Sequence, residues 1–353
     1  MSTIKEVARR ARVSVGTVSH VLTGAAWVSP KRRDLILAAI QELDYHPNDI
    51  ARSLKLRRSH MLGMVVSDIT NPFFSQLVRG AEDAAVKRNY LLLTFNTDDR
   101  VEREIQILRV FRKRQVDGVM LVVAPSQGKS SHIRELISFG TPVVCLDRVP
   151  RGIRVDSVTI DNVNATRGCI EHLVDKGHRR IGIITGSLLL QTARERLQGY
   201  KDALNLRGIS IDPRLICEGN FRTESGYQLA QTLLCRLDRP TALFVSNGLM
   251  SIGALRAITQ SGLRCPQDIA IASFDDLFLS DVLQPPLTAV VQPAYEIGYR
   301  GAEMLMARIE SLMNASGKAT PHRPTRVELL AELKIRESTE FDIPDITSIA
   351  SYT

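Results

Sequence analysis

Apolar positions recur three and four residues apart through residues 2–45, which predicts three short helices. Ile4, Val7, Ala8 and Ala11 share one face of the first. Ser14 is placed to cap a second, whose inward face is Val18, Val21 and Leu22. Ser29–Pro30 reads as a helix start, and Leu35, Ile36, Ala39, Ile40 and Leu43 continue an apolar stripe from it. Only a few residues around Arg12–Val13 separate the first two helices, a junction tight enough for a helix-turn-helix. From about residue 61 the pattern changes. Short apolar runs, among them MLGMVV, YLLLTFN, VMLVV, PVVCL, RIGIIT, TALFV and IAIASF, alternate with amphipathic stretches at 73–88, 101–114, 162–176, 192–206, 223–236 and 249–261. Strands alternating with helices predict βαβ units and parallel sheets, and near-continuous Val, Ile and Leu predict sheets covered on both faces. About 280 such residues exceed what one doubly wound sheet needs, so two lobes are expected.

Charge separates the head from the body. Residues 1–58 hold eleven Lys and Arg against five acids, a formal +6 of the chain's +8, which leaves +2 for the remainder. A basic head on a nearly neutral body suits nucleic acid as a partner. The five cysteines are scattered without a C-x-x-C pair, so neither a disulfide framework nor a zinc site is signalled. The opening MSTIKEVARR has no apolar signal core, and no apolar run is long enough to span a membrane. A cytoplasmic protein without metal or cofactor is expected.

Enzyme motifs are weak or missing. Gly128–Lys129–Ser130 resembles the end of a phosphate-binding loop, but that motif needs glycine five residues earlier, where Val123 stands. No G-x-G-x-x-G follows the first strand, and neither H-E-x-x-H nor G-x-S-x-G occurs. His178 reads as a loop residue supporting the next strand. Asp147 and Asp275 could form the carboxylate pair of a glycosidase, although a DNA-binding head would then have no purpose.

The positive reading of the head rests on its second helix. Val15, Gly16, Thr17, Ser19 and His20 occupy the first turn and outward face from which such helices read base edges. In the body, a ligand between two lobes should sit at the carboxyl ends of the strands. Asn71, Phe73 and Phe74 follow the first strand run; Asp147 and Arg148 follow the fourth. Arg196, Phe221, Asn247, Asp275 and Gln292 come after later ones. Planar polar groups between aromatic walls describe a carbohydrate pocket.

TIKEVARRARVSVGTVSHVLTG, followed by VSPKRRDLILAAIQELDYHPNDIARSLKLRRSHMLGMVVSDITNPFF, resembles the LacI/GalR (lactose/galactose repressor) family of bacterial transcription regulators. The resemblance covers about residues 2–338. It implies a helix-turn-helix domain at 1–46, a hinge helix at 47–58, and a periplasmic-binding-protein-like effector and dimerisation domain at 59–340, before a tail at 341–353. Lobe 1 is expected at about 59–160 and 291–321, and lobe 2 at about 161–290 and 322–340. The implied partners are a pseudo-palindromic double-stranded operator, a second copy of the chain and a small effector. The DNA-contacting set that the resemblance implies is Thr3, Ser14, Val15, Gly16, Thr17, Ser19, His20, Ser29, Asn48, Ala51, Leu54 and Lys55. Within ARSLK at 51–55, Leu54 would wedge into the minor groove while Lys55 meets phosphate or groove edges; the hinge is expected to fold on binding DNA.

The effector set named above also matches the ligand positions of ribose-type binding proteins, which implies a ribose-like pentose or a hexose. A purine, a phosphosugar or a co-regulator remains an alternative, as more distantly does a plain sugar-binding module or a sugar-acting enzyme. One departure is visible: the family's usual Asn-Asp before its M-A-x-G-A-L helix is here Asn247–Gly248 before LMSIGAL, which removes a carboxylate near the cleft.

Overall fold

Thr3 starts the first helix of the head. Its hydroxyl accepts from the Glu6 N–H at 3.4 Å, and its own N–H donates to the Glu6 carboxylate at 2.7 Å, a reciprocal cap on α1 (Ile4–Arg10). The chain reverses through Arg12, whose φ is 52°, and Ser14 accepts from the Thr17 N–H at 3.1 Å at the start of α2 (Val15–Thr23). The third helix, α3 (Pro30–Glu42), has proline in its first turn. Val7, Ala8, Ala11, Val18, Ile36, Ala39 and Tyr45 form the head's core, and Arg10 pairs with Glu42 at 2.8 Å. Leu35 departs from the expected stripe: it is 50% exposed, because Ile36 and Ala39 carry the buried face one residue further on. The structure, a computed structural model, describes residues 2–23, 26–45, 58–126, 130–277, 279–314 and 323–340. The hinge residues Asn48, Ala51, Leu54 and Lys55 and the tail at 341–353 lie outside the described residues.

Contacts divide the chain into two compact units, 1–59 and 60–353. The second holds two six-stranded sheets. In the first sheet, β1 (Met61–Val66) lies between β2 (Leu91–Asn96) and β3 (Gly118–Leu121). Then come β4 (Val143–Leu146), β5 (Asp156–Ile160) and, on the far edge, β11 (Arg326–Leu329), all parallel. The second repeats this order: β7 (Ile216–Glu218), β6 (Ile181–Thr185), β8 (Ala242–Val245), β9 (Ala270–Phe274) and β10 (Thr288–Val291). It ends in β12 (Glu332–Lys334), antiparallel to β10. In each sheet the strand order reverses beside its first strand, which is where such folds open a crevice at their carboxyl ends. The central strands are buried throughout, as their apolar runs require.

The helices α4 (Pro72–Lys87), α5 (Val101–Lys113), α6 (Ser131–Ser138) and α11 (Ala294–Asn314) belong with the first sheet. With the second go α7 (Asn162–Asp175), α8 (Gln191–Leu206), α9 (Thr223–Leu234) and α10 (Gly248–Gln260). Glycines bring α4 and α11 into backbone contact. A Cβ on Gly80 would collide with the Tyr295 carbonyl, and one on Gly298 with the Leu77 carbonyl.

The lobe boundary expected at residue 322 needs correction. Strand β11 pairs with β5 in the first sheet, so the chain returns to lobe 1 at 326–329 before entering lobe 2 as β12. The chain therefore passes between lobes three times: after β5 at Asp161, after β10 at Gln292–Pro293, and between β11 and β12 at Leu330–Ala331.

Candidate functional site: an interlobe cleft and a recognition helix

The cleft between the sheets is built from strand ends. After β1, Asn71 caps α4 by accepting from the Phe73 N–H at 3.1 Å, which seats Phe73 and Phe74 edge to face, 5.0 Å between ring centroids. After β4 come Asp147 and Arg148. After β6 and β7, α8 supplies Arg196 and a loop supplies Phe221. Asn247 caps α10 by accepting from Met250 N–H at 2.9 Å, and its amide donates to the Phe221 carbonyl at 3.2 Å. Asp275 follows β9, and Gln292 follows β10 at a lobe crossing. All ten effector residues expected from the sequence line one cavity that leaves about 420 Å³ of space, part of it open to solvent.

Five further residues line it: Ser67, Asp68, Asp99, Thr192 and Arg222. Asp99 receives Arg148 at 2.7 Å and the Ser67 hydroxyl, and Asp68 pairs with Arg222 across the lobes. The only signal for Asp99 was its position after an apolar run, in a loop, NTDDR, that otherwise reads as a polar turn.

Backbone strain gathers here. Asp99, Asp147, Phe221 and Asp275 have φ of 58°, 62°, 64° and 71°. The left-handed region costs a non-glycine residue about 1–2 kcal/mol, and phenylalanine gains nothing from it locally. The room for Phe221 comes from Gly186, where a Cβ would collide with the ring. Strain of this kind persists where surrounding structure over-determines it, commonly at ligand clamps.

The charges are deeply buried. Burial pushes the Asp147 carboxyl above the usual range, while Arg148 and Arg196 pull the other way. Asp275 is raised by burial too, against Arg196 and the amide of Gln292, which donates to it at 2.5 Å. Burial alone would lower Arg148, but Asp99 and Asp147 outweigh it and hold it above its ordinary value. Burial draws Arg196 down; its Nε donates to Asn162 at 2.9 Å, its Nη1 to the Ser246 carbonyl at 2.7 Å, and its guanidinium lies 3.6 Å from the centroid of the Phe274 ring. The Gln292 Oε1 is buried without a hydrogen-bond partner among the described residues, whereas Arg148 Nε faces the Asp147 carboxylate at 3.3 Å. The Gln292 acceptor left over in the cleft suits a ligand that donates to it, and a buried polar group of this kind is costly unless paired. No group of His, Cys, Asp and Glu that could hold a metal occurs among the described residues.

On the head, Val15 and His20 are exposed, Gly16 and Thr17 lie on the first turn of α2, and Ser19 sits on the same helix. Ser14 and Thr17 share a hydroxyl hydrogen bond at 2.9 Å. Thr3 is engaged in its cap, whereas the Ser29 side chain makes no capping bond to α3. No helix among the described residues is long and apolar enough to cross a membrane.

Two α/β lobes around a polar cleft, preceded along the chain by a helix-turn-helix head, are the architecture of a ligand-sensing DNA-binding regulator. Residues 3–48 match the family model described as bacterial regulatory proteins, lacI family, and residues 170–339 match a periplasmic binding protein-like domain. The chain is 38% identical over 311 residues to a ribose operon repressor of Haemophilus influenzae, covering 88% of this chain and 93% of that one. It is 34% identical to the HTH-type transcriptional repressor PurR of Pasteurella multocida, covering 96% and 99%. A lac repressor dimer bound to operator and the anti-inducer ONPF superposes with a TM-score of 0.83 at 29% identity, covering 96% and 99%. The chain belongs to the lacI family of bacterial regulatory proteins; it is a transcriptional regulator and not an enzyme.

Proposed function

We propose that this protein is a homodimeric repressor whose affinity for a pseudo-palindromic operator is set by a small sugar, a ribose-like pentose or a hexose, held between the lobes. The observation that carries the sugar reading is the facing of two buried aspartates from opposite lobes, Asp147 and Asp275, amid two buried guanidiniums and an unpaired amide oxygen. Vicinal hydroxyls donate to carboxylates and accept from guanidiniums at once, and Phe73, Phe74 and Phe221 supply apolar surface for a ring. The ribose operon repressor among the relatives supports the same class. The cleft is made from both lobes, so a ligand there acts by favouring one interlobe angle over another, and only its differential affinity can shift that equilibrium.

On the DNA side, we place Thr3, Ser14 to Thr17, Ser19, His20 and Ser29 against the major groove and its flanking phosphates, and Asn48, Ala51, Leu54 and Lys55 in the hinge that meets the minor groove. Mobility shift with a pseudo-palindromic operator tests this. Specific binding that weakens with Leu54→Ala, with effector binding retained, is expected; the absence of specific binding at low salt, with or without sugars, would sink it. Calorimetry with ribose, hexoses and purines tests the effector. Binding of a purine alone would replace the sugar reading.

A further inference from the structure

A second cavity opens between the lobes on the far side of Arg148. It leaves about 330 Å³ of space, part of it open to solvent, and Arg148 lines both cavities. Arg151, from the loop after β4 in lobe 1, and Arg194, from the first turn of α8 in lobe 2, line it together with Ser126 and Gln191. No carboxylate lines it among the described residues. Val123, Ala124 and Ser126, after β3, form its loop wall.

The charges in this cavity are unbalanced. Arg148 is neutralised by Asp99 and Asp147. Arg151 has no hydrogen-bond or ion-pair partner among the described residues. Arg194 donates through one nitrogen to the Leu188 and Leu189 carbonyls, at 2.7 and 2.9 Å, and has no carboxylate within ion-pair distance among the described residues. The two arginines are near enough that Arg151, after burial, draws the Arg194 guanidinium below its ordinary value. The amino end of the sixteen-residue helix α8 faces the same space: Leu190 provides no side-chain cap, and the first turn contains no acid. Glu195, next along α8, offsets Arg194 only in part, and Arg151 is exposed; two guanidiniums without an ion-pair partner among the described residues and an uncapped helix end match a dianion, and planar guanidiniums pair with phosphate through two parallel bonds.

We propose that this cavity is a phosphate subsite in which one phosphate group bridges Arg151 of lobe 1 and Arg194 of lobe 2 and so favours the closed cleft. The inference rests on the effector reading above. The phosphate is either carried by the sugar in the first cavity or bound free beside it.

Calorimetry of the full chain with ribose, ribose 5-phosphate and inorganic phosphate, at ionic strength matched with chloride, tests it in wild type, Arg151→Ala and Arg151→Lys. A phosphate on the sugar is indicated by at least about tenfold tighter binding of ribose 5-phosphate than of ribose, a ratio that collapses towards one in Arg151→Ala and recovers in part in Arg151→Lys. Free phosphate is indicated by binding of inorganic phosphate that Arg151→Ala abolishes, which also separates it from phosphate held by the basic head. If neither sugar binds but phosphate still binds through Arg151, the sugar reading falls and the subsite stands. If phosphate and ribose 5-phosphate show no dependence on Arg151, the subsite is overturned, whatever ribose does.

Discussion

Asp99 and Arg148 lie 49 residues apart in sequence and 2.7 Å apart in the cleft. The aspartate stands on the strained turn after β2 and holds the buried guanidinium that two cavities share. Asp99→Asn keeps the shape and removes the charge. Sugar affinity is expected to fall about tenfold, the scale of one charge-assisted hydrogen bond. Titration calorimetry with ribose checks this; an unchanged affinity would show that Arg148 is held in place without Asp99.

Arg222 reaches across the cleft to Asp68. Its side chain is 38% exposed, so the pair is worth about 1 kcal/mol or less. Arg222→Ala is expected to weaken effector binding up to about fivefold, with a smaller difference from wild type at high salt. A loss that does not shrink with salt would mean that Arg222 touches the ligand instead of latching the lobes.

Gly298 lets α11 lie directly on the backbone of α4. Gly298→Ala has no rotamer with which to escape the Leu77 carbonyl, and the two helices must part. A loss of about 1–3 kcal/mol is expected in urea unfolding. An unchanged midpoint would mean that the helices slide apart freely.

His178 gives stability a pH dependence. Its Nδ1 pairs with the Thr241 hydroxyl at 2.9 Å, its Nε2 is buried without a hydrogen-bond partner among the described residues, and burial, then His172, bring its pKa from 6.5 to about 4. Between those values the unfolded chain holds a proton that the folded chain does not. The contribution is therefore complete above pH 6.5 and is lost as the pH falls towards about 4. Asp147 and Asp275, raised by burial, act in the opposite sense: their cost is relieved as they protonate. Urea midpoints across this window should fall with pH in wild type and fall less in His178→Gln. Equal slopes would remove His178 as the cause.

Thr17→Ala and His20→Ala remove a hydroxyl and an imidazole from α2. Each is expected to cost about 1–3 kcal/mol in specific operator binding if it meets a base edge, while the slope of affinity against salt stays unchanged because no phosphate contact is lost. Mobility shifts over a range of salt concentrations separate this from a phosphate role, which would flatten the slope.

Much of this was legible in the sequence because the signals were strong. Buried parallel strands are long apolar runs, and the residues after them converge for topological reasons, which is why ten scattered positions from Asn71 to Gln292 line one cavity. What escaped had weak or ambiguous patterns. RVEL at β11 alternates between exposed and half-buried positions and looks like any polar edge, so its return to the first sheet was missed. Asp99 and Arg222 sit in polar turns whose composition does not distinguish a cleft from solvent. In α3 the expected stripe includes both Leu35 and Ile36, and packing buries only Ile36 of the two.

Of the cleft residues, Gln292 alone stands in one of the three segments where the chain passes between lobes. A group on the axis of a hinge is displaced least by rotation about it. If the lobes turn about these segments, Gln292 is expected to act as a pivot that meets the proposed effector to much the same extent in either arrangement, leaving discrimination between them to the residues that swing. Its replacement should shift the concentration at which the effector acts while leaving the maximal response intact, whereas changes at Asp147, outside the three crossing segments, should alter the response itself.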